Sequence, residues 1–426
     1  MSPCHRRSGR AVRLTVAAAI LPLVACGGGA AVPDVGPATS IPSPTGTDAL
    51  APFLSVAPGG GVMLAWTERQ DTAAAVRFSR LSGAAFGAVR TVVERAPLFV
   101  NWADFASALP LGGDTVAAHW LRRAGDGKFA YGVQVAVSAD DGVTWTPARW
   151  LHDDSAGVEH GFVTLWREPD GAVGSAWLDA RGRAGDSGDG HDSHTSTDTL
   201  AGAPAMTVRS RRLRRDASVE AEALVDPRSC DCCQTTATPV ADGMLLAWRD
   251  RSPTEIRDIV VARRTASGWS TPTRVHADEW ETKACPVNGP SLASRGDSVV
   301  IAWFTQARDT AKVQVAFSAD GGRTFGPAHR IDDGDPLGRV AVVIDDAGRA
   351  VVSWHERVSP DTADLRVRRV TPAGARSVGR TVTRLAATRR AGVSRMVRDG
   401  ATVVFAWTVA GDHPTVALAR ASLGQP

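Results

Sequence analysis

The sequence has a single Tyr and only three Lys, at positions 128, 283 and 312, among its 426 residues. Its 48 Lys and Arg nearly balance its 45 Asp and Glu, and the four Arg of residues 1–25 account for more than the formal charge of +3. This balance argues against a nucleic-acid partner, which requires a basic surface. A hydrophobic share of 43% also excludes a disordered chain.

Long apolar runs are missing too, apart from one near the N-terminus. Residues 11–25 are apolar and follow a basic segment, and a run of about fifteen residues is too short for a mature membrane span. The run ends in LVAC, which resembles the lipobox of bacterial lipoproteins. This resemblance implies a signal peptide over 1–25, lipidation at Cys26, and an exported protein whose lipid anchors it in the bacterial cell envelope.

Residues 26–47 are rich in Gly, Pro, Ser and Thr, and we predict that they form a flexible tether. From residue 48 onward the sequence repeats one phrase, an apolar β-branched run that ends in a small residue and Trp. The seven copies contain Trp66, Trp120, Trp177, Trp248, Trp303, Trp354 and Trp407. A period of about 50 residues with four short strands is typical of a β-propeller blade.

We therefore predict an all-β fold over 48–426, a propeller of four-stranded antiparallel blades closed into a ring. Seven repeats are counted. The seventh lacks an evident fourth strand, because the Pro-rich tether is poor strand material. A three-stranded last blade and a six-bladed ring therefore remain alternatives.

Two turns between predicted third and fourth strands carry a sharper motif. Residues 138–145 (SADDGVTW) and 318–325 (SADGGRTF) share the pattern S-x-D-x-G-x-T-[WF]. This pattern resembles the Asp box, or bacterial neuraminidase repeat, of sialidase-like propellers, where it lies on the face away from the active site. The loops from second to third strands, and the exit loop of each blade, are then expected together on the opposite face.

The loops of that opposite face are rich in Arg, acids, Trp and His, which suits a glycan or an anionic small molecule as ligand. The predicted ligand-binding residues are Arg123, His160, Asp179, Arg181, Arg249, Arg251, Arg257, Asn288, Trp303, Arg339 and Glu356. An acid and an Arg recur after the blade Trp, as in Glu68-Arg69 and Glu356-Arg357. The alternative to ligand binding for such pairs is a structural contact between blades.

The resemblance to sialidases implies three Arg that hold the substrate carboxylate, a Tyr nucleophile paired with Glu, and an Asp acid/base. The only Tyr here, Tyr131, begins an early strand, and the R-I-P signature of the family's first Arg is absent. If the protein is an exo-sialidase-like glycoside hydrolase, the candidate proton donors are Asp104, Asp250, Glu255 and Asp258. A non-catalytic, protein-binding propeller is the alternative. We expect a monomer.

Four cysteines indicate a rival function. Cys230, Cys232 and Cys233 precede the fourth repeat and Cys285 precedes the fifth, so both groups are expected at one rim. Neighbouring residues make a poor disulfide, because about 3.8 Å between Cα atoms is too short. We therefore expect Cys285 to bridge to one of the three. The alternative is a copper or zinc site. Its candidate ligands are Cys230, Cys232, Cys233, Cys285, His160, His191 and His194. No other cofactor is predicted.

Overall fold

The computed structural model describes Met1 and residues 31–70, 73–183 and 205–424. Cys26, His191 and His194 lie outside the described residues, so lipidation at Cys26 and metal binding by His191 and His194 stay predictions. His160 is described and is not grouped with the cysteines as a metal ligand. Among the described residues, no helix is long and apolar enough to cross a membrane.

Seven antiparallel sheets make up the fold, which confirms the predicted seven-bladed β-propeller. The first strand is β1 (Thr39–Ile41). Blade 1 contains β2 (Ala49–Val56), β3 (Val62–Gln70), β4 (Ala73–Ser82), β5 (Ala85–Phe86) and β6 (Arg90–Ala96). Blade 2 contains β7 (Ser107–Gly112), β8 (Thr115–Arg123), β9 (Tyr131–Ser138) and β10 (Arg149–Trp150), and blade 3 contains β11 (His160–Arg167), β12 (Val173–Asp179), β13 (Met206–Leu213) and β14 (Ala223–Ser229).

Blade 4 contains β15 (Thr236–Val240), β16 (Gly243–Arg249), β17 (Ile259–Thr265), β18 (Gly268–Trp269) and β19 (Thr273–Arg274). Blade 5 contains β20 (Ser291–Arg295), β21 (Ser298–Thr305), β22 (Lys312–Ser318) and β23 (His329–Arg330). Blade 6 contains β24 (Pro336–Ile344), β25 (Ala350–Arg357), β26 (Thr362–Val370) and β27 (Arg380–Ala386), and blade 7 contains β28 (Arg395–Asp399), β29 (Thr402–Val409) and β30 (Thr415–Ser422). Three 3₁₀ turns lie at Arg181–Arg183, Ala307–Asp309 and Arg389–Ala391. The first strands of consecutive blades, β2, β7, β11, β15, β20, β24 and β28, contact each other in order, and β28 contacts β2, so the ring closes.

The last blade takes its fourth strand from the segment predicted to be a flexible tether. β1 pairs antiparallel with β30, with Thr39 opposite Arg420 and Ile41 opposite Leu418. Ile41 is buried in the core between blades 7 and 1. The three-stranded blade and the six-bladed ring are therefore wrong. A strand of three residues at the outer edge tolerates a Pro-rich context, because the prolines lie outside the paired residues.

The repeated Trp is buried in each blade, and in five of the seven blades a carboxylate accepts its indole N–H. The indole N–H of Trp120 is buried without a partner among the described residues. Trp66 donates to Glu68 at 3.3 Å, and Trp354 donates to Glu356 at 2.5 Å. The acid two positions after the Trp is thus part of the blade architecture. For Glu68 and Glu356, this favours the structural alternative over ligand binding.

In blades 4 and 5 the acceptor of the indole N–H comes from the preceding blade. Trp248 donates to Asp226 of β14 at 3.0 Å. Trp303 donates at 2.7 Å to Asp278, which follows β19. Hydrogen bonds to charged groups contribute about 1.5–3 kcal/mol. These two contacts therefore fasten neighbouring blades together.

The two turns that resemble the Asp box share one hydrogen-bond pattern. In the first, Ser138 Oγ donates to Asp140 at 2.8 Å, and Asp140 accepts from the backbone N–H and the hydroxyl of Thr144 at 2.8 and 2.6 Å. The hydrogen bonds from Thr144 and Ser138 lower the pKa of Asp140 to about 2. Ser318, Asp320 and Thr324 repeat the pattern.

Both turns lie beside the hairpin that joins the first two strands of their own blade. The backbone N–H of Asp141 donates to Asp114 O at 2.8 Å, and that of Gly321 donates to Asp297 O at 2.9 Å. In an antiparallel blade this end is opposite to the exit loops. The predicted separation of the two faces is therefore confirmed for these blades.

Candidate functional site

A cleft of about 880 Å³ opens among the loops of the exit-loop face. One wall is the connection from blade 4 to blade 5, from Glu279 to Asn288, and a second is the loop between β21 and β22. Asp335–Leu337, Arg357 and Arg389 complete the lining from blades 5 to 7. Every one of these segments belongs to the two loop classes that the sequence predicted to lie together.

The cleft carries four cationic and four anionic side chains. These are Lys283, Arg308, Arg357 and Arg389, and Glu279, Glu281, Asp309 and Asp335. Arg357 and Asp335 pair at 3.3 Å. Lys283, Arg308 and Arg389 are exposed and form no ion pair with any other described residue. Their charges are therefore free to meet a ligand.

The backbone of the cleft is strained at several non-glycine residues. Glu279, Arg308 and Asp309 have φ of 56°, 56° and 54°, and Val287 in the same wall has φ of 48°. Such conformations cost about 1–3 kcal/mol each and cluster at functional sites, where the surrounding structure holds them. The strain marks this rim as a candidate binding site independently of its charges.

An aromatic pair forms the floor of the cleft. Trp280 meets Phe304 edge to face at 5.7 Å, and the guanidinium of Arg249 lies 4.8 Å from the centre of the Trp280 ring. Arg249 is buried and donates to the backbone carbonyls of Asn288, Arg257 and Phe304 at 2.7–3.1 Å. The predicted ligand residue Arg249 thus braces the cleft wall from behind.

Asn288, also predicted to bind ligand, lies in the same wall. Its side-chain amide donates to Leu337 O at 3.3 Å, and its Oδ1 accepts the backbone N–H of Arg339 at 2.7 Å. Arg339 itself donates to Thr388 O and Gly392 O at 3.1 and 2.9 Å. Burial lowers the pKa of Arg339 to about 10. Both side chains therefore connect loops of neighbouring blades.

Arg251, Glu255 and Arg257 form a buried ion-pair network next to the cysteines. Glu255 accepts from Arg251 at 2.8 Å and from Arg257 at 2.9 Å, and Arg251 also pairs with Asp231 at 3.2 Å. Burial raises the pKa of Glu255, but the hydrogen bonds from the two Arg outweigh it and hold the pKa below its usual value. Glu255 therefore stays ionised and is a poor proton donor.

The other two acids of this stretch lie behind the cleft rather than in its lining. Asp258 accepts the backbone N–H of Glu279 and of Trp280 at 3.0 and 3.1 Å, and burial raises its pKa. Burial also raises the pKa of Asp250 to about 6. Asp258 thus shapes the strained turn at Glu279.

The single Tyr meets two acids in the interior of blades 2 and 3. The hydroxyl of Tyr131 lies within hydrogen-bond distance of both, 3.0 Å from Asp104 Oδ2 and 2.8 Å from Glu159 Oε1. Burial, followed by the charges of Glu159 and Asp104, raises the pKa of Tyr131 well above its usual value, and burial raises that of Asp104 to about 7. The cavity next to Asp104 holds about 10 Å³, which is too small for a sugar. The sequence did not predict this pairing, because the acids are distant from Tyr131 along the chain.

A third group of predicted residues surrounds β11 and β12. His160 is fully buried, stacks on His152 at 3.8 Å and lies 3.0 Å from Asp154 and 3.7 Å from Asp179. Asp179 accepts the indole N–H of Trp177 and pairs with Arg181 at 2.7 Å. Elsewhere, Arg123 lies over Phe99. The structure therefore divides the predicted ligand residues among several separate contacts, and Arg123 is exposed.

None of the predicted ligand residues except Asn288 lines the cleft. The exposed cations that do line it, Lys283, Arg308 and Arg389, were not among the predicted ligand-binding residues. The one sequence feature that these three residues share is their position, in an exit loop or in a loop between second and third strands.

The cysteines come together as the sequence predicted. Cys232 and Cys285 form a disulfide with 6.1 Å between their Cα atoms, while Cys230 and Cys233 are free and buried. The two free sulfurs lie 3.5 Å apart. Burial raises the pKa of Cys230, but hydrogen bonding with Cys233 and the charge of Arg257 lower it overall to about 6.

Sequence comparison finds no protein-family model that matches the chain and no curated protein that is similar to it. Comparison with solved structures finds matches of low identity. A Hadza microbial sialidase is 15% identical with a TM-score of 0.45, over 72% of this chain and 63% of its own length. The NanB sialidase from Streptococcus pneumoniae is 9% identical with a TM-score of 0.45, over 85% and 83%.

The GH93 α-L-arabinofuranosidase of Fusarium graminearum is 15% identical with a TM-score of 0.48, over 75% of this chain and 93% of its own. These likenesses concern the fold alone. The fold defines the class of protein, a seven-bladed β-propeller of four-stranded blades. The sialidase-like resemblance implies a β-propeller, and the count of Trp repeats predicts its seven blades. This chain carries a charged cleft over blades 4 to 7 and four cysteines beside it.

Proposed function

We propose that the protein binds a hydroxyl-rich ligand, an oligosaccharide, in the cleft of the exit-loop face. The observation that carries the proposal is the equal number of cationic and anionic side chains around an aromatic floor. Each sugar hydroxyl both donates and accepts hydrogen bonds, so it can bind to Arg and to carboxylates alike. A polyanion would meet four carboxylates and is disfavoured.

An acidic sugar fits the cleft better than a neutral one. Arg308 and Arg389 come from different blades and have no carboxylate partner among the described residues. Guanidinium groups bind carboxylates through two parallel hydrogen bonds. We therefore place the single carboxylate of a uronic or sialic acid unit between these two Arg.

We propose that the protein binds the oligosaccharide and does not hydrolyse it in the manner of a sialidase. The single Tyr is 1% exposed, and its raised pKa opposes the ionisation that a nucleophile requires. The four candidate proton donors, Asp104, Asp250, Glu255 and Asp258, do not line the cleft. A fluorogenic sialoside is therefore expected to release no product above buffer.

Binding is tested on an array of neutral, uronate-containing and sialylated oligosaccharides, followed by calorimetry with the best binder. The Arg308→Ala/Arg389→Ala variant should weaken binding at least about tenfold, which corresponds to about 1.4 kcal/mol. Arg323→Ala is the matched control, because Arg323 is an exposed Arg of the opposite face. Failure of every oligosaccharide to bind, or equal binding by the double variant, would refute the proposal.

A further inference from the structure

We propose that Cys230 and Cys233 form a binding site for a soft monovalent cation, Cu(I), beside the Cys232–Cys285 disulfide. This site is separate from the oligosaccharide cleft and does not depend on it. The inference rests on the arrangement of the sulfurs, on the hydrogen-bond donors that point at them, and on the charges buried around them.

The sulfur atoms of three cysteines lie close together. The sulfur atoms of Cys230, Cys232 and Cys233 lie within 4.8 Å of one another, and within the described ranges no other set of three His, Cys, Asp or Glu is grouped so closely. Cys232 is used by its disulfide, which leaves Cys230 and Cys233, 3.5 Å apart and each 1% exposed. Thiolate is the ligand type that selects Cu(I) over harder cations.

Each free sulfur also accepts a hydrogen bond from a fixed donor. Nη1 of Arg257 donates to the sulfur of Cys230 at 3.3 Å, and the backbone N–H of Asn288 donates to that of Cys233 at 3.4 Å. Hydrogen bonds from outer groups orient metal ligands and stabilise their anionic form.

The buried charges around the sulfurs favour a monovalent ion. Arg249, Arg251 and Arg257 are buried here, and among the described residues Glu255 and Asp231 are the carboxylates that form ion pairs with them. Arg249 donates only to backbone carbonyls, so one of the three positive charges has no carboxylate partner in this part of the structure. Burying such a charge is costly unless an anion compensates it.

Two thiolates with one Cu(I) carry a net charge of −1 and balance this positive charge. Two thiolates with Zn(II) are neutral and leave it uncompensated, and Zn(II) also needs four ligands. The charge pattern therefore separates the two metals that the cysteine sequence left open. The two free sulfurs lie next to the cleft, because Cys285 and Asn288 belong to the cleft wall and also contact the cysteine cluster.

The first test counts free thiols in the exported protein by alkylation and mass spectrometry, with two per chain expected. The protein is then titrated with Cu(I) without oxygen, in competition with the chelator bicinchoninate. The readouts are stoichiometry and the ultraviolet absorption of the Cu(I)–thiolate bond. We expect one Cu(I) per chain, and no stoichiometric Zn(II) in a parallel titration.

Cys230→Ser and Cys233→Ser should each weaken Cu(I) binding at least about a hundredfold. The Cys232→Ser/Cys285→Ser variant keeps both free thiols and should still bind one Cu(I). Near-ultraviolet circular dichroism of the Trp core confirms that each variant is folded. A second disulfide in place of the free thiols, equal Cu(I) binding by the single variants, loss of Cu(I) in the double variant, or stoichiometric Zn(II) would overturn the proposal.

Discussion

The disulfide between Cys232 and Cys285 should contribute strongly to stability, because it joins two exit loops that are distant along the chain. The two cysteines are 53 residues apart. The loop-closure relation gives an entropy loss of about 14 cal/mol/K in the unfolded chain for a loop of this length, which is about 4 kcal/mol at 25 °C. The Cys232→Ser/Cys285→Ser variant should therefore lose up to about 4 kcal/mol of unfolding free energy.

The assay is urea unfolding followed by Trp fluorescence. Two proteins are compared, one with the disulfide intact and one with Cys232→Ser/Cys285→Ser. Both also carry Cys230→Ser and Cys233→Ser, so that free thiols cannot exchange with the disulfide. The matched control is the protein with the disulfide intact, measured with and without reductant. Reductant should lower its stability to that of the variant and should leave the variant unchanged. A difference below about 1 kcal/mol would refute the claim that the bridge constrains the unfolded chain.

Three further outcomes follow from the fold. Deletion of residues 32–45 removes β1, exposes the edge of β30, and should lower the melting temperature and produce aggregates in gel filtration. Asp278→Ala removes the acceptor for Trp303 and should cost about 1.5–3 kcal/mol in urea unfolding. Burial raises the pKa of Asp104 from 3.8 to about 7, so its contribution to stability is fully present below pH 3.8 and is lost as pH rises through 7. The stability of the wild type relative to Asp104→Asn should therefore fall between pH 4 and pH 7; a constant difference would contradict the shift.

The blades were predictable from the sequence because the Trp repeat is a local signal. The strand alternation around each Trp fixes which loops share a face, and this placed the cysteines together. Closure of the ring was not predictable in the same way. β1 has only three residues, and its pairing with β30 depends on two chain ends meeting in space.

The individual site residues were harder to predict than the face that carries them. Arg249 and Arg257 match the composition of a ligand site, but their donors bind backbone carbonyls, Glu255 and Cys230. Whether a charged side chain points inward depends on partners from other blades, which no local pattern encodes. The exposed Arg308 and Arg389 lack any repeated signal.

Hydrogen–deuterium exchange with a saturating oligosaccharide from the array shows whether the sugar binds in the cleft. The account predicts slower exchange in residues 279–288, 306–311 and 388–391, which border the cleft, and unchanged exchange in the two turns at 138–145 and 318–325. Protection of the opposite face, or bound sugar without protection of the cleft segments, would contradict it.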